Sequence, residues 1–304
     1  MIELLLIFLS FFFKIYFTLL VEIDYNIFVM KKIIILIILL IFLIESEGEI
    51  RKALVSIPPL QSLSSFIGGK YWEFSLILPK NVNPHVFEPK PETFKLVEKA
   101  ELVIINGGDI DYWVENILKD KRKKLLNVSY NIKFEDNNPH IWLDPILAKK
   151  ISENIYEKLK SMDLKNKEYY YKNFKNLIKK LEELDREIKI KFSKYKKKEV
   201  IIYHPAWYYF FKRYNIKTLG VIEEGEGKEP SPRKVAEIIN LIKEKKIKYI
   251  LKEPYNISPV LNMISKETGT KLITLDPLGH DKDYFSMMRE NIKILEMIFS
   301  EQNN

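Results

Sequence analysis

Asp163 to Lys198 is a run of 36 residues without a proline or a glycine. Within it Tyr170, Phe174, Leu177, Leu181, Leu184 and Ile188 recur at spacings of four and three, which puts them on one stripe of an α-helix. A helix of that length, rising about 1.5 Å per residue, is on the order of 50 Å long. It must lie as a rod along a body built on both sides of it. A coiled-coil dimerisation helix is the rival reading, and it fits less well because the seam ends before four heptads. The chain is therefore expected to be a monomer.

On each side of the rod, short β-rich runs alternate with helical patterns. Ahead of it come Ala53 to Ile57, Glu73 to Leu78, Leu102 to Asn106 and Leu125 to Val128. Between them lie amphipathic segments such as Pro91 to Ala100, with Phe94, Val97 and Ala100 on one face and a proline suited to the first helical position. Behind it come Val200 to Tyr203, Thr218 to Ile222, Tyr249 to Leu251 and Leu272 to Leu275, with a helical stretch from Val235 to Lys245. Strands that alternate with helices pair in parallel. The predicted fold class is α/β: two βα lobes with mostly parallel sheets, over 49–162 and 199–304, joined by one long backbone helix over 163–198.

Residues 33–44 are an unbroken apolar run, introduced by Met30, Lys31 and Lys32 and closed by Glu45, Ser46, Glu47 and Gly48. Residues 30–48 thus read as a secretory signal peptide, its core too short for the roughly 20 residues of a membrane span. Residues 2–21 form a second apolar stretch, broken by Glu3 and Lys14. Because a complete signal starts at Met30, residues 1–29 are expected to be an over-extended gene start; the alternative is a membrane anchor. The protein is expected to be exported and either periplasmic or attached to the outer face of the cytoplasmic membrane.

The chain has no cysteine, which excludes disulfides, thiol nucleophiles, thiolate metal sites and a lipidated N-terminal cysteine. Any transition-metal site must be built from nitrogen and oxygen. The formal charge of +8 comes from lysines interspersed with glutamates, the texture of a solvated surface, and no nucleic acid partner is expected. Gly225-Glu226-Gly227-Lys228 lacks the first glycine of a phosphate loop and is ringed by Glu223, Glu224 and Glu229, so it reads as a charged surface loop.

Three of the four histidines fall at or soon after the carboxyl ends of predicted strands, the side that faces the crevice in open α/β sheets. They are His85 in Asn83-Pro84-His85-Val86-Phe87-Glu88-Pro89, His140 in Asn138-Pro139-His140-Ile141-Trp142-Leu143-Asp144-Pro145, and His204 in Tyr203-His204-Pro205. The flanking prolines stiffen the loops that carry them. A fourth ligand is expected from Asp276 in Leu275-Asp276-Pro277-Leu278-Gly279, for which a turn-forming Asp-Pro is the competing reading. Three imidazoles and a carboxylate suit Zn²⁺. His280 reads as a solvated loop residue. Glu88, Asp144 and Glu253 are candidates, by motif position, to orient the ligand rings.

From roughly Val55 to Phe299 the chain resembles the zinc and manganese substrate-binding proteins of ABC importers, the cluster that includes the ZnuA and TroA proteins. The resemblance rests on the histidine and aspartate segments above together with Ser56-Ile57-Pro58-Pro59-Leu60, Asn106-Gly107 and Glu229-Pro230-Ser231-Pro232. It implies two α/β lobes on a backbone helix, with metal held between them by residues matching His85, His140, His204 and Asp276. Many zinc-specific members carry a His- and acid-rich loop before the second Asn-Pro-His motif; here only Lys133 to Asn137 precede it. Manganese-selective relatives tend to place glutamate where His204 stands.

The expected function is an exported receptor, not an enzyme, that captures Zn²⁺ in the inter-lobe cleft and delivers it to a membrane ABC permease, the empty form looser than the loaded one. Mn²⁺ is the alternative cargo. A metal-dependent hydrolase and a metal-stabilised surface adhesin are the readings from other classes.

Overall fold

The computed structural model describes residues 9–19, 21, 28–32, 50–121, 124–225, 227–279 and 281–303. The chain divides into two compact units, 1–49 and 50–304. In the first, residues 9–19 and 28–32 are helical; the signal-peptide core, over 33–44, and residues 1–8, 20 and 22–27 lie outside the described residues. Among the described residues no helix is long and apolar enough to cross a membrane.

The second unit holds two sheets of the same design. Strands β1 (Arg51–Val55), β2 (Trp72–Leu76), β3 (Leu102–Ile105) and β4 (Leu125–Asn127) form one sheet in the order β2-β1-β3-β4. Strands β5 (Glu199–Ile202), β6 (Lys217–Val221), β7 (Tyr249–Lys252) and β8 (Lys271–Thr274) form the other in the order β6-β5-β7-β8. Every pairing is parallel. All eight strands lie within two residues of the positions expected from sequence. In each sheet the order reverses between the first and third strands, and that switch point opens a crevice at the carboxyl ends.

Successive strand side chains alternate between two layers. Leu102 and Ile104 of β3 enter the central core, whereas Val103 and Ile105 enter an outer cluster with Val97 and Val114. In β5, Val200 and Ile202 face the central core while Ile201 joins Ile238, Ile242 and Leu261 outside. Both sheets are covered on both faces, and the central core runs continuously from Ala53 to Phe299 through both lobes. Several helices start where sequence logic puts them. Asp144, Ser231 and Ser258 accept backbone N–H groups at helix starts followed by Pro145, Pro232 and Pro259, each a capping side chain ahead of a residue that needs no donor.

The backbone helix spans Lys167–Ser193, about 40 Å at 1.5 Å per residue, and is shorter than the sequence suggested. Of the five residues from Lys194 to Lys198 all but Tyr195 are lysines, and ahead of the helix Leu164–Asn166 form a separate 3-10 turn. Tyr170, Leu177, Leu181, Leu184, Ile188 and Phe192 are buried, and the stripe packs against helices within the chain, Pro145–Met162 above all. That contact uses up the seam a coiled-coil partner would need.

Hydrogen bonds also tie one lobe to the other. Trp142 Nε1 donates to the Pro277 carbonyl at 2.8 Å, and the Tyr284 hydroxyl donates to the Trp142 carbonyl at 2.7 Å. The Tyr209 hydroxyl donates to the Asn138 carbonyl at 2.8 Å and accepts from the Glu135 N–H at 2.8 Å.

Candidate metal centre

Each strand except β1 is followed, beyond its carboxyl end, by a residue of interest: His85 after β2, Asp109 after β3, His140 after β4, His204 after β5, Glu223 after β6, Glu253 after β7 and Asp276 after β8. Three of these are brought to one point. His85 Nε2 lies 3.1 Å from His140 Nε2, and His204 Nε2 lies 3.3 Å from the same atom. The three rings form the group able to hold a metal ion among the described residues.

The other nitrogen of each ring is engaged. His85 Nδ1 is 3.2 Å from Asp109 Oδ2, His140 Nδ1 is 2.9 Å from Asn138 Oδ1, and His204 Nδ1 is 2.7 Å from Glu223 Oε2. An ionised carboxylate and an amide oxygen can only accept. The ring proton therefore belongs on Nδ1 in all three residues, leaving three Nε2 lone pairs aimed at one another. That arrangement is repulsive unless a cation sits among them. Tetrahedral zinc with Zn–N of about 2.0–2.1 Å needs ligand nitrogens about 3.3–3.4 Å apart, close to the separations found here. Burial of His140, followed by the neighbouring His204 and His85, holds its pKa well below the ordinary imidazole value, so this ring is neutral and able to ligate.

The ring partners Asp109, Asn138 and Glu223 are not among the groups expected from motif position. Glu88 is exposed, and Asp109 takes the His85 ring in its place. Asp144 faces a helix start, accepting the Ile146 and Leu147 N–H groups at 2.7 and 3.3 Å. Glu253 is buried and near enough for its charge to act on His204; burial pushes its pKa up to about 7 against that influence, and its carboxylate accepts from the Asn256 amide. Glu223, assigned by sequence to a solvated loop, has a side chain only 5% exposed. A carboxylate just past a strand end was the available signal for Asp109 and Glu223. The Asp109 turn is itself specified. Gly107 has φ +87°, and a Cβ there would lie 2.5 Å from Ser129 Oγ, so glycine is required. Asp111 then accepts the Asn106 and Gly107 N–H groups at 2.7 and 2.8 Å.

Asp276 is not brought into the cluster. Its Oδ1 accepts the N–H groups of Leu278 and Gly279, each at 2.9 Å, and its N–H donates to Asn291 Oδ1 at 2.8 Å. Oδ1 is thus engaged in the turn that an Asp-Pro sequence favours. His280 lies outside the described residues.

Because Glu223 orients the ring of His204, replacing it with glutamine, which keeps an oxygen but loses the charge, is expected to weaken zinc binding about tenfold. Competition against a chromophoric chelator measures this, and an unchanged constant would remove Glu223 from the site.

A sequence model of the ZnuA family, described as zinc-uptake complex component A, periplasmic, matches residues 54–297. The chain is 28% identical over 282 residues to the high-affinity zinc uptake system protein ZnuA of Bacillus subtilis, covering 83% of this chain and 88% of that one. Among solved structures, AdcAII of Streptococcus pneumoniae superposes with a TM-score of 0.75 at 29% identity, over 83% of this chain and 99% of that one. The Zn(II)-bound ZnuA-like domain of Streptococcus pneumoniae AdcA superposes with a TM-score of 0.71 at 25% identity, over 82% and 98%.

Proposed function

The chain belongs to the ZnuA family of zinc-uptake components, and from that premise we propose that it is an extracytoplasmic receptor that binds Zn²⁺ through His85, His140 and His204 and hands it to an ABC permease. The observation that carries this reading is the convergence of three Nε2 atoms, 3.1 and 3.3 Å apart, each with its other ring nitrogen held by an acceptor. Three nitrogen donors favour Zn²⁺ over Mn²⁺ in the usual affinity order. The ligands come from both lobes, His85 and His140 from the first and His204 from the second, so the loaded form differs from the empty one at the surface where the lobes meet. That difference is what a permease can read.

Protein purified without chelator should carry about one zinc per chain and, when stripped, bind Zn²⁺ in preference to Mn²⁺ in a competitive titration. Retention of Mn²⁺ against equimolar Zn²⁺ would overturn the zinc assignment. Catalytic zinc sites also keep three protein ligands and an open position. Reversible release of the intact ion to a chelator, without turnover of ester or peptide substrates, separates the receptor from a hydrolase.

We propose that Asp276 serves its turn rather than the ion, so Asp276→Asn, which keeps the Oδ1 acceptor, should leave zinc affinity within about threefold of wild type. A loss of ten- to a hundredfold, the size expected when a group supporting a metal site is removed, would return the carboxylate to the site.

A further inference from the structure

The two Asn-Pro-His motifs share a local turn but diverge at the ring. In both, the asparagine Oδ1 accepts the backbone N–H of the histidine two residues on, at 3.0 Å. At the first motif the ring turns to Asp109. At the second, Asn138 Oδ1 also accepts from His140 Nδ1 at 2.9 Å, while Asn138 Nδ2 donates to the Pro205 carbonyl at 2.8 Å. Pro205 directly follows His204. The partners fix the orientation of this amide, since a backbone N–H requires the oxygen and a carbonyl requires the NH₂. Asn138 is only 8% exposed, so none of these groups can be exchanged for water at little cost.

Resting on the zinc-receptor reading for its consequence, we infer that Asn138 is the positioning residue of the site, fixing the tautomer of His140 and setting that ring against the strand end that carries His204. The role requires an amide. A carboxylate could orient the ring, as Asp109 and Glu223 do for theirs, but it would meet the Pro205 carbonyl with no hydrogen to give. An apolar side chain would do neither. One side chain thus links the second ligand of the first lobe to the residue that follows the second lobe's ligand.

The test uses full-length protein labelled with ¹⁵N-histidine, stripped of metal and held at alkaline pH, with His140 assigned by loss of its signals in His140→Gln. Wild type is expected to show His140 as the Nδ1–H tautomer. In Asn138→Ala the His140 signals should move towards the Nε2–H tautomer, and zinc affinity should fall at least about tenfold. Asn83→Ala should leave the His140 tautomer unchanged. Should Asn138→Ala fail to fold, Asn138→Asp carries the test: it keeps the acceptor and should keep the Nδ1–H form. Retention of the Nδ1–H form in Asn138→Ala, or its loss in Asn138→Asp, would overturn the assignment. The tautomer is read without metal, so a shift in Asn138→Ala supports the positioning role even if wild type fails to bind zinc, a failure that would count against the receptor reading instead.

Discussion

Replacing His140 with alanine is expected to lower zinc affinity at least a hundredfold while the metal-free protein still unfolds in one cooperative step. His140 is the ring common to both short nitrogen–nitrogen distances, and it is 1% exposed, so no solvent-side ligand can easily replace it. Structural zinc sites with four ligands are worth about 10–16 kcal/mol. Divided evenly, that is about 3 kcal/mol per ligand, or roughly two to three decades in affinity. The variant also loses packing against Trp142, whose ring centroid lies 5.1 Å away. Circular dichroism melts of the metal-free variant must therefore accompany the titration. An unchanged zinc titration would exclude His140 from the site.

The second large effect concerns stability. Asp185 sits on the buried side of the backbone helix and is 6% exposed. Its carboxylate accepts from Arg213 Nε at 2.7 Å, Arg213 Nη2 at 3.0 Å, the Tyr214 hydroxyl at 2.9 Å and Lys189 Nζ at 2.9 Å. Arg213 and Tyr214 belong to the second lobe, so this cluster fastens the rod to it. Burial works to raise the Asp185 pKa, but the hydrogen bonds from Arg213, Lys189 and Tyr214 outweigh it and bring the pKa down to about 2. Asp185→Asn removes the charge and leaves a partly buried guanidinium facing a neutral amide. The expected cost is about 3 kcal/mol, the lower end for breaking a buried pair, because Arg213 also lies 3.6 Å from Asp144.

The pH dependence has a definite sign. A carboxyl whose pKa is lower in the folded state stabilises the fold above its unfolded pKa, near 3.8, and that stabilisation is lost as pH falls towards 2. Urea midpoints of wild type should therefore drop between about pH 4 and 2, and Asp185→Asn should show a shallower drop over the same interval. Equal midpoints at neutral pH would show that the cluster contributes nothing to holding the lobe.

Much of this architecture could be read from the chain because the relevant signals are local. Val200 to Tyr203 and Leu102 to Asn106 are short, β-branched and apolar, and both carry strands. The helix ends were less legible: the absence of proline and glycine from Lys194 to Lys198 permits a helix but does not require one. The three histidines were visible because strand ends in a parallel sheet face a common crevice. Their orienting partners were not. Asp109 and Glu223 look in sequence like surface acids, and only the tertiary fold buries Glu223 at 5% side-chain exposure. Asp276 was legible only in part: a strand-end Asp-Pro suits a ligand and a turn equally well, and the two amide hydrogens that its Oδ1 accepts come from residues that only a folded turn brings within reach.

X-ray absorption at the zinc edge of the loaded protein tests the proposed centre most directly. Three imidazoles at about 2.0–2.1 Å with one further light atom are the predicted first shell. A shell of oxygens alone, or one with fewer than three imidazoles, would contradict a receptor built on His85, His140 and His204.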